Sequence, residues 1–165
     1  MLIDGSIHRD NHRGLRFCWS RTSSGCGWNS VFQRRHTLIN WDQLRSEAIA
    51  AMKKSYSPYS KFPVGVAGLV NDGRIVSGCN VENASYGLTL CAECSMISNL
   101  AMTGGGRIQA VVCVDKNGEL LSPCGRCRQL LFEHGGKELQ LLTPDGPQPM
   151  SVILPWGFGP DDLPQ

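Results

Sequence analysis

Two short segments concentrate thiols in this 165-residue chain of 8 cysteines: Cys91-Ala92-Glu93-Cys94 and Pro123-Cys124-Gly125-Arg126-Cys127. Cys124 and Cys127 are three apart, so on a helix they share a face and can grip one ion. Only thiolate binds such an ion, and a helix N-terminus favours the thiolate. Soft sulfur donors with no nearby cluster of histidines or carboxylates select zinc over magnesium or calcium. Two Cys-x-x-Cys pairs can be read as a four-cysteine structural zinc site. Three features favour a catalytic site instead. The pairs open two helices separated by a strand. Glu93 stands two residues after Cys91, facing the ion without having to ligate it. The chain is also long enough to fold by core burial. If Cys94 turns along its helix into the core, Cys91, Cys124 and Cys127 leave a fourth zinc position open for water.

These segments need elements to position them. Asn40, with Gln43 three residues on, predicts an N-capped helix over 41–55 carrying Trp41, Leu44, Ala48 and Ala51/Met52 on one face. Pro58 breaks the chain after it. Val64–Val70 and Arg74–Cys79, joined through Asn71-Asp72-Gly73, read as a β-hairpin. Cys91–Thr103 reads as a helix stopped by Gly104-Gly105-Gly106. The apolar run Ile108–Val114 reads as a central strand covered on both faces. Pro123–His134 is a second helix closed by glycines. Leu139–Thr143 and Met150–Leu154 are expected strands, with Pro144-Asp145-Gly146-Pro147 turning between them. The order αββαβαββ plus a tail predicts an α/β fold, a three-layer α/β/α sandwich on a mixed sheet of about five strands.

Composition narrows the class. No stretch approaches the roughly 18 apolar residues of a membrane helix, and the start of the chain lacks an apolar export segment. A soluble, cytoplasmic protein in a reducing compartment is expected, where clustered cysteines serve metals or chemistry. Residues 1–39 hold six arginines against Asp4 and Asp10, a charge of +4, and residues 40–165 carry −2. Residues 1–39 show no periodicity and are expected to be a disordered extension, or an artefact of start-site choice, ahead of a catalytic domain over 40–165. Cys18, Cys26, Cys79 and Cys113 are expected non-ligands. The mildly acidic domain offers no grip for a nucleic-acid backbone, and no basic aromatic channel for a single-stranded polynucleotide.

A zinc deaminase carries Pro-Cys-x-x-Cys, a third His or Cys ligand, and a non-ligating Glu two residues after that ligand. Cys91-Ala92-Glu93 with Pro123–Cys127 matches it. Over roughly 41–163 the chain resembles the small zinc-dependent cytidine deaminases. Carrying the likeness are Tyr59-Ser60-Lys61-Phe62-Pro63-Val64-Gly65, Gly78-Cys79-Asn80-Val81-Glu82-Asn83-Ala84-Ser85-Tyr86, the two thiol segments, Arg128-Gln129 and Leu154-Pro155-Trp156-Gly157-Phe158. The resemblance implies one Zn2+ per subunit on Cys91, Cys124 and Cys127. A zinc-activated water would attack C4 of cytosine, with Glu93 shuttling protons to N3 and to departing ammonia. It implies substrate contacts from Phe62, Asn80, Glu82, Tyr86, Ala92, Ser122 and Phe158, with Asn80 and Glu82 on the ribose 3′-hydroxyl and the Ser122 carbonyl on the leaving amino group. Phe158 would enter a neighbouring subunit's pocket in a homotetramer with composite active sites.

Three thiolates around one Zn2+ leave a net −1, which relatives offset with arginines. Arg128 is the expected thiolate support here, because the position after the catalytic Glu, often Arg in relatives, is Cys94. The expected reaction is deamination of cytidine and deoxycytidine in pyrimidine salvage, with a small nucleoside and no nucleic acid or membrane as partner. Alternatives are a zinc deaminase of another aminopyrimidine, and a four-cysteine interaction module, for which Cys94→Ala would abolish zinc binding.

Overall fold

The computed structural model describes residues 38–164; the expectations for residues 1–37, including Cys18 and Cys26, lie outside the described residues. Asn40 Oδ1 accepts from the Gln43 N–H at 3.0 Å. The cap starts α1, Trp41–Met52, which buries Leu44, Ala48, Ala51 and Met52. A hairpin follows: β1, Gly65–Val70, buried throughout, and β2, Ile75–Cys79, whose alternate residues are buried. Gly73 turns it at φ 91°, a conformation that costs glycine little. Next come α2, Ala92–Met102, β3, Ile108–Val114, α3, Gly125–Gly135, and β4, Gln140–Thr143. Cys91 and Cys124 are the N-cap residues of α2 and α3.

With a last strand β5, Gly146–Pro149, the sheet order is β2-β1-β3-β4-β5, with β3–β4 parallel and the other pairs antiparallel. As expected, β3 is central. Its alternation feeds two cores: Ala110, Val112 and Val114 meet Leu44, Ala48 and Met52 of α1, while Val111 and Cys113, joined by Ile108 beyond a register shift opposite Val70, meet Ala92, Met96 and Leu131 of α2 and α3. This is the expected three-layer sandwich on a mixed five-stranded sheet.

The last strand corrects the sequence reading. β5 is Gly146–Pro149, and Met150–Ile153, expected as strand, is a short helix, α4. Pro144-Asp145 alone make the turn, with Thr143 facing Gly146 and Gln140 facing Pro149. Pro147 and Pro149 share one phase of the ladder, and an edge strand donates to its neighbour only from alternate residues. Met150 is fully buried at the start of α4 and donates its N–H to the Leu139 carbonyl at 2.8 Å. The apolar run thus packs on the core instead of pairing.

One glycine sets the site's depth. A Cβ at Gly78 on β2 would lie 2.3 Å from Met96 N and 2.5 Å from the Ala92 carbonyl oxygen. Only glycine lets the first turns of α2, which carry Cys91 and Glu93, sit this close to the sheet. Among the described residues, no helix is long and apolar enough to cross a membrane.

Candidate active site and metal centre

The N-termini of α2 and α3 bring Cys91, Cys124 and Cys127 together, their Sγ atoms all within 4.8 Å of one another. Tetrahedral zinc with Zn–S near 2.3 Å sets sulfurs about 3.8 Å apart, so this donor set fits the ion after a small contraction. Cys91 is half-buried, Cys124 exposed and Cys127 buried. Burial, then hydrogen bonding and charge from Glu93, pushes the Cys127 thiol well up; burial also raises Cys91, partly offset by a hydrogen bond from Cys127. At Cys124 the burial effect is outweighed by hydrogen bonds from the Cys127 backbone N–H, the Cys127 thiol and Cys91, and its thiol lies below the ordinary value. The helix-start lowering expected from sequence thus reaches the exposed sulfur, while burial overrides it at the other two.

Glu93 is 3% exposed, the one buried charged side chain among the described residues. Its Oε1 accepts from Cys113 Sγ at 3.8 Å. Cys94 lies outside the three-sulfur group. It does not enter the core as expected: it is half-buried, and its Sγ accepts from Arg126 Nη2 at 3.2 Å.

The expected support of the sulfurs by Arg128 is not seen. Its guanidinium donates to the carbonyls of Pro123 at 2.9 Å and Ile153 at 3.3 Å and to Ser122 Oγ at 2.9 Å. Carbonyls lacking a helical partner take its planar fork of donors. Arg128 thereby ties the approach to α3, including Ser122, to the end of α4. The arginine on a sulfur is Arg126, which the sequence reading passed over although it stands between two ligands.

Beside the cluster, Val81 and Leu90 exchange backbone hydrogen bonds at 3.0 and 2.9 Å. This antiparallel bridge sets Asn80 and Glu82 on either side of Val81, one residue along from the Leu90–Cys91 bond. Asn80 Oδ1 accepts from Ser55 Oγ at 2.5 Å and the Val64 N–H at 2.8 Å, and Nδ2 donates to the Phe62 carbonyl at 3.0 Å. Glu82 Oε2 accepts from the N–H groups of Tyr59 and Ser60 at 2.9 and 3.2 Å. The Ser60 hydroxyl, more than these backbone donors, holds its carboxyl below the usual range.

Glu82 and Tyr86 line a pocket of about 360 Å³ with Tyr59, Ser60 and Thr89. Tyr59 and Tyr86 meet edge to face, with centroids 6.3 Å apart. Phe62 is not part of this wall, and Tyr59, in the quoted motif but not singled out, is. Ala92 opens α2, where backbone N–H groups lack helical partners. Phe158 lines a separate groove of about 790 Å³ with Phe132, Glu133 and Gly136, toward the C-terminal end of α3, whereas Cys124 and Cys127 lie at its N-terminal end.

The family model described as "Cytidine and deoxycytidylate deaminase zinc-binding region" matches residues 40–143. The chain belongs to the small cytidine deaminase family. It is 56% identical over 127 residues to the cytidine deaminase of Mycobacterium tuberculosis, covering 77% of this chain and 96% of that one. Identity to the Sporosarcina psychrophila cytidine deaminase is 36% over 127 residues, 74% of this chain and 93% of that one. The crystal structure of the M. tuberculosis cytidine deaminase superposes with a TM-score of 0.72 at 55% identity, covering 73% of this chain and 98% of that one. The Mycobacterium leprae cytidine deaminase does so with 0.70 at 68% identity, covering 71% and 98%. Zinc is the family's metal, and Cys91, Cys124 and Cys127 are the cluster here that could hold it.

Proposed function

We propose that the protein hydrolyses the C4 amino group of cytidine and 2′-deoxycytidine, giving uridine or 2′-deoxyuridine and ammonia, as a cytoplasmic step of pyrimidine salvage. The observation that carries this is a buried carboxylate, Glu93, beside a three-sulfur cluster on two helix N-termini, in a chain of this family. Cys91, Cys124 and Cys127 hold one Zn2+, which supplies a Lewis acid that lowers the pKa of water. Three protein ligands suit a catalytic zinc, with the fourth position left for water or substrate.

Glu93 takes the proton of the attacking water and delivers it to N3 as the C4–O bond forms. The second proton, from the hydroxyl now on C4, passes through Glu93 to the amino group, and the C4–N bond breaks with ammonia leaving as the C4 carbonyl forms. The Ser122 carbonyl receives that group, its segment fixed by Arg128. The hydrogen bonds at Asn80 leave it one Nδ2–H, and both backbone donors at Glu82 fall on Oε2. One donor beside one anionic acceptor complements a hydroxyl, which both donates and accepts. That supports a nucleoside over the free base, since a site built for a hydroxyl rejects analogues lacking it. Ala92 N–H and Tyr86 complete the base pocket from this chain, with Phe62 standing outside that wall.

Phe158 serves a neighbouring copy in a homotetramer. Its place toward the C-terminal end of α3, and the exposure of Tyr86 (77%) and Phe158 (59%), support composite sites. The catalytic domain runs from residue 40 to 165. The test is chromatography of cytidine, deoxycytidine and cytosine incubated with zinc-loaded protein. One ammonia per uridine or deoxyuridine, with cytosine untouched, is expected; conversion of cytosine at a comparable rate would overturn the nucleoside assignment.

A further inference from the structure

Glu93 is assigned one job above, yet besides the Cys127 thiol its carboxylate meets a second, fully buried partner on β3. Oε1 meets Cys113 Sγ at 3.8 Å, and Cys113 is 1% exposed. An ionised carboxylate only accepts, so a buried one needs donors, and a thiol is a weak donor that packs like an apolar group. Cys113 sits on the most constrained strand of the sheet. It pairs with Val66 of β1, and its carbonyl accepts from the Leu121 N–H at 3.0 Å. Alternation along β3 turns it to the face shared with Val111, under the first turn of α2.

We infer that Cys113 is a positioning residue for the proton shuttle: its thiol holds Oε1 from beneath and fixes the carboxylate plane, leaving Oε2 to move the proton. The inference rests on the proton-transfer role proposed for Glu93. The side-chain hydrogen bond of Cys113 goes to Glu93 and to none of the metal ligands, so it acts through Glu93. Carboxylate rotation changes where the proton is delivered, and catalysis is sensitive to such placement. Substrate affinity, set at Asn80, Glu82 and the aromatic walls, does not depend on it.

The test compares zinc-loaded wild-type protein with Cys113→Ala, which removes the donor, and Cys113→Ser, which keeps one. Steady-state cytidine kinetics are read beside zinc content and Tm. The alanine variant is expected to lose about three- to tenfold in kcat, short of the ~100-fold that an ångström of misplacement can cost. Its KM is expected to stay within about twofold of wild type, and serine is expected to restore most of the loss. Equal kcat for wild type and Cys113→Ala overturns the inference, as does an equal loss in both variants that follows lowered Tm or zinc content. Wild-type protein with full zinc and no turnover would overturn the function reading, and this inference with it.

Discussion

At the scale of single residues, the site sets three sulfurs and a buried carboxylate against few countercharges. Without an ion, the raised Cys91 and Cys127 thiols stay protonated through neutral pH, and zinc must displace those protons. Zinc binding to metal-free protein near pH 7 is therefore expected to release at least two protons per ion, those of Cys91 and Cys127. Affinity should fall as pH falls, because protons compete for the same sulfurs; a pH-indicator titration measures both. A pH-independent affinity between pH 6 and 8 (about one unit either side of neutrality) would contradict the thiol assignment. Cys94→Ala is expected to keep one zinc per chain by metal analysis, since Cys94 holds Arg126 and lies outside the cluster. A four-cysteine module would lose its zinc. The ligands and Glu93 were legible because metal binding constrains spacing so tightly. Arg126 and Cys113 were not, because the contact of each crosses between elements that sequence leaves unplaced: Arg126 reaches from α3 to Cys94 on α2, and Cys113 from β3 to Glu93 on α2.

At the scale of elements, the site depends on how deeply α2 sits. Gly78→Ala is expected to cost about 2–3 kcal/mol in denaturant unfolding and to weaken zinc binding, since its Cβ would strike backbone atoms of α2 that no rotamer change can move. A neutral Gly78→Ala would show that α2 tolerates displacement. Helices and strands through β4 were readable from separate signals: the Asn40 cap at α1, glycine stops after α2 and α3, and apolar runs for the strands, although α1 ends at Met52, short of the expected 55. The end of the chain was not: Met150–Ile153 has the β-branched character of a strand, but its burial against the core and the two-residue turn at Pro144-Asp145 decide otherwise. Proline content argued against Gly146–Pro149 as a strand, and an edge position removes that objection.

At the scale of the whole molecule, one chain leaves exposed apolar side chains that a monomer has no reason to display, with Trp156 fully exposed beside Phe158. Light scattering is expected to give four copies, and Phe158→Ala to raise the KM for cytidine severalfold; a fully active monomer would remove the composite site. The central claim is hydrolysis at C4 with Glu93 as the proton carrier. Its most direct test is ultraviolet-monitored conversion of cytidine to uridine by zinc-loaded wild-type protein beside zinc-loaded Glu93→Ala. Wild type is expected to turn over, and Glu93→Ala to fall by at least ~10²-fold with its zinc retained. No turnover by the wild type, or turnover that survives in Glu93→Ala, would contradict it.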